Sequence, residues 1–363
     1  MYANVLFSRA FPEGIIARFD SASFAVANVR FLADQQDATG NSIAWRADSD
    51  WLRLRWRALN TPRRPEYDFV SPYPASLLKL LPALGVLELV AVGLYTLHNP
   101  IEYDGETRPL IDWLDAMITV SCNRATSVLT RLLHQAGQIT RRDEGETRNA
   151  VNALCGRLGL PLLRFDDTAA DGGWGNTAGS GVGHIHVGAW DMARLLWLLD
   201  DEALMPDWRV DGEPVQRPLG LTERALLRHL LRNQGLHDML SSTALAGVPG
   251  YPCGLPAWLA PRWLSTGGGA RLDGKTYPSG AAAAASDAEV YFDHKTGRTE
   301  NYGSDAGIVR GIPGRASRHY IVSLTSNLGE RYADPALAPG CYPVQLATLG
   351  ATIDNLMKHW LEP

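Results

Sequence analysis

Leu77 to Leu97 is an almost unbroken apolar run, and no other stretch limits the fold so sharply. Its length raises the question of a membrane span. Lys79, Pro82 and Glu88 interrupt it, which points instead to a helix buried in a protein core. The run is headed by Pro74-Ala75-Ser76-Leu77-Leu78-Lys79. In a helix Ser76 and Lys79 sit one turn apart on one face, so the amine reaches the hydroxyl. A serine hydroxyl attacks poorly until a neighbour takes its proton, and a lysine does this only when burial or nearby positive charge lowers its pKa. Arginine cannot serve, because it stays protonated. Of 34 basic residues only Lys79, Lys275, Lys295 and Lys358 are lysine, and two of those fall in the motifs below. Alone, Ser-x-x-Lys also reads as a serine-capped helix start.

With 363 residues and 45% hydrophobic content, the chain can bury one large core or two smaller ones. A net charge of -5, with basic residues scattered, gives no reason to expect nucleic acid or an anionic membrane as partner. Met1 to Arg18 lacks a charged start followed by a long apolar stretch. That pattern fits a cytoplasmic chain if Met1 is the native start, and an exported one if a leader has been trimmed. Cys122, Cys155, Cys253 and Cys341 are far apart, so neither a zinc site nor a disulfide framework is expected, and no metal or organic cofactor is implied.

Strand signals come first. Ser23 to Leu32 reads as a strand, Asp37 to Asn41 as a turn, and a second extended segment starts at Ser42. Trp51 to Arg57 alternates, with Leu52, Leu54 and Trp56 opposite three arginines. Proline-rich Thr61 to Pro74 then marks a subdomain boundary. From Ser76 to about Leu240 the period is helical: Leu77 to Leu97, Ile111 to Val120, Ser127 to His134, Trp190 to Leu199 and Thr222 to Leu231. Residues 161–187 form a long glycine-rich loop and 249–286 an irregular insert carrying Tyr251, Trp258 and Trp263. Loops of that length in a compact domain are functional or mobile. Strands return at Glu289 to His294, Asp305 to Ile312 and Tyr320 to Ser326, and Val344 to Trp360 closes the chain as a helix. This order predicts an α/β (α+β) fold: an antiparallel sheet built from both chain ends with flanking helices, plus a central all-helical subdomain. The expected division is 1–70 with 285–363, against 71–284.

Three motifs lie in order along that layout: Ser76-x-x-Lys79, Ser121-x-Asn123 and Lys295-Thr296-Gly297. With them, the chain resembles the serine β-lactamase and penicillin-binding-protein superfamily, and is class A β-lactamase-like. The likeness spans roughly Ser23 to the C-terminus and includes Asp293-His294-Lys295-Thr296-Gly297 followed by the strand from Tyr302 to Val309. The resemblance implies that Ser76 is the acylated nucleophile and that Lys79 accepts its proton or sets the local field. By the same resemblance Ser121 relays a proton to the leaving nitrogen and Asn123 holds the substrate amide. Lys295 helps keep Lys79 neutral and attracts a substrate carboxylate, with Thr296 as a hydroxyl partner. Gly297 leaves room for substrate, and the N–H groups of Ser76 and Arg298 form the oxyanion hole.

The departures matter too. Placing Arg164-Phe165-Asp166 on the family's Arg-Leu-Asp puts Ala169 where the glutamate that positions the deacylating water belongs, and residues 166–176 contain no glutamate. Asp166, Asp167 or Asp171 could substitute. Cys122 replaces an aspartate often found between the serine and the asparagine. The insert at 249–286 leads straight into the Lys295 strand, so part of it is expected to border the pocket with aromatic contacts. His184 and His186 form a His-x-His pair, but with no third ligand nearby a loop or strand role is expected. His294 is expected to face away from the pocket. The expected function is a serine hydrolase acting through a Ser76 acyl-enzyme on a small acyl substrate: a β-lactam, peptide or ester. The rivals are a D-Ala-D-Ala carboxypeptidase or esterase, and a penicillin-binding sensor that does not turn over. Nothing in the sequence sets the oligomeric state.

Overall fold

The computed structural model describes residues 13–18, 26–29, 36–37, 55–57, 69–71, 74–142, 145–173, 185–272, 274–277, 280–299, 303–326 and 342–362. The turn at Asp37 to Asn41, the extended segment from Ser42 and the boundary at Thr61 to Pro74 fall largely outside these residues.

Near the N-terminus lie strands β1 (Glu13–Arg18), β2 (Val26–Val29), β3 (Gln36–Asp37), β4 (Arg55–Arg57) and β5 (Phe69–Ser71). The middle of the chain contributes hairpins β6 (Pro100–Tyr103) with β7 (Glu106–Pro109) and β8 (Ile139–Arg142) with β9 (Gly145–Asn149), then β10 (Leu163–Phe165), β11 (Ile185–Gly188), and hairpins β12 (Arg209–Val210) with β13 (Glu213–Pro214) and β14 (Arg271–Leu272) with β15 (Lys275–Thr276). The last strands are β16 (Val290–Arg298), β17 (Gly303–Gly311) and β18 (His319–Ser326). The main sheet is antiparallel in the order β16-β17-β18-β1-β2-β4, so both chain ends build it, as the sequence order implies. A smaller sheet, β10-β11-β5-β3, closes the base of the long loop against the strand that leads to Ser76.

The helices are α1 (Leu80–Ala91), α2 (Leu110–Thr119), α3 (Asn123–Gln135), α4 (Ala150–Arg157), α5 (Ala189–Leu199), α6 (Leu221–Arg232), α7 (Ala281–Ser286) and α8 (Tyr342–Leu361). No helix among the described residues is long and apolar enough to cross a membrane. The apolar run is a core helix, apolar on nearly every side and therefore buried on nearly every side. Pro82 falls in its first turn, where a missing N–H is tolerated. A Cβ on Gly85 would stand 2.7 Å from Val151 Cγ2 and 3.0 Å from Leu133 Cδ2, so glycine lets α3 and α4 close on α1. The helix ends at Ala91, short of the expected Leu97, because Gly93 turns the chain at φ 75 and Leu94 N–H bonds back to Leu89 O.

Other differences follow from packing that no local period records. Helix α5 is buried along its whole length, not on one face, and its Asp191 accepts the Leu162 N–H at 2.7 Å. The block between Ser76 and Leu240 is helical but carries short hairpins. Helix α4 is capped by Asn149, whose side chain accepts from Asn152 N–H at 3.0 Å.

Candidate active site

Ser76 follows β5 in a 3-10 turn, Ala75–Lys79, and not in the α-helix that the spacing suggested. Three residues per turn eclipse positions i and i+3, which sets Lys79 directly over Ser76. The Lys79 Nζ stands 3.0 Å from Ser76 Oγ. Ala75 has φ 50, a left-handed conformation that an alanine seldom adopts, and it swings the chain sharply into the turn. Ser121 is a second such residue, at φ 61, in the joint between α2 and α3. Cys122 caps α3, its Sγ accepting from Ala125 N–H at 3.5 Å, so the departure at this position keeps a structural role.

The three motifs meet on Ser121. Lys79 Nζ lies 3.1 Å from Ser121 Oγ, 2.5 Å from the Ser121 carbonyl and 2.8 Å from Asn123 Oδ1. Lys295 Nζ comes from β16 to within 3.0 Å of the same Ser121 Oγ and donates to Thr296 O at 2.8 Å. Ser76 and Ser121 are half-buried and Asn123 is exposed, while Lys79, Lys295 and Thr296 are buried. The cluster therefore opens to solvent on the side of the two hydroxyls.

Burial pushes the Lys79 amine down to about 7. Lys295 is lowered as well, first by burial and then by the Lys79 charge. Neither amine has a carboxylate within ion-pair distance among the described residues. A neutral Lys79 has two N–H groups and one lone pair. The Ser121 carbonyl and Asn123 Oδ1 can only accept, so they take the two N–H groups and the lone pair is left for the Ser76 hydroxyl proton.

Gly297 abuts the turn that carries Ser76. A Cβ there would stand 2.5 Å from Pro74 O and 2.8 Å from Leu77 N, inside the turn that carries Ser76. The missing side chain makes room for that turn. Ser304 of β17 adds a clamp, its hydroxyl donating to Pro74 O at 2.7 Å. The Arg298 guanidinium donates to Asp238 Oδ2 at 2.8 Å.

The long loop packs on α3 near its base. A Cβ on Gly172 would collide with the Ser127 carbonyl, and Thr168 Oγ1 meets His134 Nε2 at 2.9 Å. Asp166 is engaged by Arg164 and Asn152, Asp167 by Arg141 at 2.5 Å, and exposed Asp171 accepts Gly173 N–H in a turn at 2.8 Å. Asp166 and Asp167 thus tie the loop to α4 and β8, and Asp171 shapes a turn within it. His184 lies outside the described residues. His186 is half-buried on β11, and loss of solvent with Arg164 nearby lowers it to about 4. No group of three metal-ligating side chains occurs among the described residues.

The two tryptophans of the insert pack away from Ser76. Trp258 packs edge-on against Tyr291 at the opposite end of β16 from Gly297. Trp263 donates to Asn233 O at 2.8 Å and lines, with Thr119 and Val120, an open cavity of about 810 Å³ that includes none of Ser76, Lys79 or Lys295. His294 lies fully buried behind the Lys295 face, bonded to Asp305 at 2.8 Å. Sequence reading missed Asp305, Ser304 and Asp238. For Ser304 and Asp305 the available signal was a polar or charged residue inside a strand, and Asp238 lies in no strand.

No family model matches the chain, and no curated protein does. Among solved structures the chain is similar to L2 complexed with relebactam, at 14% identity and a TM-score of 0.50, over 95% of this chain and 91% of that one. It is also similar to the beta-lactamase from Sphaerobacter thermophilus DSM 20745, at 14% identity and a TM-score of 0.50, over 97% and 95% of the two chains. The resemblance carried by the motifs thus extends to the fold.

Proposed function

We propose that this chain, which folds as a serine β-lactamase folds, is a serine hydrolase that forms an acyl-enzyme at Ser76 with a β-lactam or a related amide or ester. The observation that carries the reading is the Lys79 amine, 3.0 Å from Ser76 Oγ, buried and lowered to about 7. Ser76 Oγ attacks the carbonyl carbon as its proton passes to the Lys79 lone pair. The oxyanion is held by the N–H groups of Ser76 and Arg298, each contributing about 3 kcal/mol to transition-state stabilisation. Ser121, within reach of both amines, relays the proton to the leaving nitrogen as its bond to carbon breaks. Lys295 attracts a substrate carboxylate, whose negative charge favours the protonated form of an amine that burial otherwise lowers. Asn123 holds the substrate amide, and Thr296 offers its hydroxyl.

Release is the slower half of this cycle. Ala169 stands where a water-positioning glutamate belongs, and Asp166 and Asp167 are tied up in ion pairs. That observation favours a second reading, in which the natural reaction is that of a D-Ala-D-Ala carboxypeptidase or esterase, or the protein stays acylated as a sensor. A fluorescent penicillin followed on gels over hours tests both. Label that appears and fades supports hydrolysis, and persistent label supports a binder. Label that is unchanged in Ser76→Ala refutes the assignment of the nucleophile.

A further inference from the structure

Adjacent strand residues point to opposite faces, so His294 lies behind the face from which Lys295 reaches Ser121. There it belongs to a row of buried polar side chains. Asp305 Oδ1 meets His294 Nδ1 at 2.8 Å, His294 Nε2 meets His237 Nε2 at 3.4 Å, and His237 Nδ1 meets Ser241 Oγ at 2.8 Å. Ser241 Oγ meets Thr243 Oγ1 at 3.1 Å, and Thr243 Oγ1 donates to the Ala257 carbonyl at 2.7 Å. The row joins β17, β16, the segment after α6 and the insert.

Counting protons gives the row a direction. The Ala257 carbonyl can only accept, so it takes the one hydroxyl proton of Thr243. Ser241 must then donate to Thr243, and His237 Nδ1–H must donate to Ser241. A neutral His237 has no proton left on Nε2, so His294 donates from Nε2–H, and because burial keeps the His294 ring neutral as well, its Nδ1 is bare. Asp305 Oδ1 must therefore carry a hydrogen, while Asp305 Oδ2 accepts the Leu240 N–H at 3.2 Å. The reverse order puts a carboxylate at Asp305 and leaves the Ser241 to Thr243 contact with no proton. It loses a bond and buries a charge, both of which are costly.

We propose that Asp305 is held as a neutral acid at the head of a one-way hydrogen-bond chain through His294, His237, Ser241 and Thr243, and that this chain is a positioning device for Lys295 and Arg298. The groups around it are Lys295, next to His294 on β16, and Asp238, next to His237 and paired with Arg298. A neutral Asp305 puts no negative charge behind Lys295, so nothing on that face draws its amine away from Ser121 Oγ and Thr296 O. The segment pinned by His237, Leu240 and Ser241 carries Asp238, which in turn holds the Arg298 end of β16. Burial acts in the same direction, raising Asp305 above the usual carboxylate range and lowering both imidazoles. The direction from His294 to Ala257 stands on geometry, the neutral Asp305 stands on that geometry together with burial of both rings and the acid, and the positioning role rests on the acyl-serine reading.

Nitrogen-15 NMR of the native protein at pH 7 tests the direction. The expected result is a proton on Nε2 but not Nδ1 of His294, and on Nδ1 but not Nε2 of His237. The opposite pair of tautomers, or a doubly protonated ring, overturns it. Fluorescent-penicillin acylation tests the role. In Asp305→Asn the amide N–H replaces the acid O–H and the amide oxygen still accepts from Leu240, so acylation is expected within about fivefold of native. Asp305→Leu removes donor and acceptor and is expected to slow acylation by roughly tenfold or more. An Asn variant as slow as the Leu variant overturns the donor role. Native protein that takes no acyl group at Ser76 overturns the positioning role together with the acyl-serine reading, while the nitrogen shifts still decide the chain's direction.

Discussion

Lys79 must be neutral to take the Ser76 proton, and its amine titrates at about 7, well below the usual lysine range, because burial disfavours its charge. Acylation is therefore expected to rise with pH through about 7 and level off above it, as the first-order rate of labelling by a fluorescent penicillin would record. Lys79→Ala should lower that rate by about 10² to 10⁴, the usual worth of a general base. Lys79→Arg should not restore it, since a guanidinium does not give up its proton. Histidines partly or wholly withdrawn from solvent supply a second pH effect. His186 is lowered to about 4 and His294 to about 3, both chiefly by burial. The unfolded chain binds these protons first, so stability is full above about 6.5 and is lost as pH falls through that window. Melting midpoints measured between pH 7 and pH 4 should fall steadily. A midpoint that stays flat across that range would contradict burial of the neutral rings.

Strand β16 and the 3-10 turn Ala75–Lys79 form the working pair of elements, and Gly297 is where their backbones touch. Gly297→Ala must push Pro74 and Leu77 aside and carry Ser76 with them. Since a misplacement of about 1 Å can reduce turnover about 100-fold, acylation of this variant should drop by about that factor while the far-ultraviolet spectrum stays native. The motifs were legible because each packs its chemistry into a few adjacent positions: Ser76 with Lys79, Ser121 with Asn123, Lys295 with Gly297. The long strands and helices were legible from their periods. The 3-10 turn was not, because Ser-x-x-Lys reads the same in either helix type. Nor were the hairpins at β6 to β9, whose few residues give no period, or the chain from Asp305 to Thr243, which joins residues brought together only by the fold.

The sheet and the helical block are held together by buried charge as much as by apolar packing. Asp293, fully buried beside His294, receives Arg232 through two bonds of 2.8 and 3.0 Å and Arg310 at 3.0 Å, with Arg228 at 3.5 Å. These arginines come from α6 and β17, so one carboxylate ties the helical block to the sheet. Asp293→Ala would leave three guanidinium groups facing a cavity. Unfolding in urea at pH 7 should record a loss of about 3 to 5 kcal/mol, the usual consequence of breaking a buried ion pair from one side. At the far side of the sheet, Arg318 and Tyr320 of the β18 region bond Asp354 of α8 at 2.7 to 2.8 Å, which locks the C-terminal helix in place. A scaffold fixed in this way lets two amines from distant parts of the sequence converge on one serine pair. The most direct test is intact mass of the protein after incubation with a panel of β-lactams, D-amino-acid peptides and simple esters, followed by peptide mapping. The expected result is a single acyl adduct on the peptide containing Ser76, absent in Ser76→Ala. An adduct on another residue, or one that survives that substitution, would contradict it.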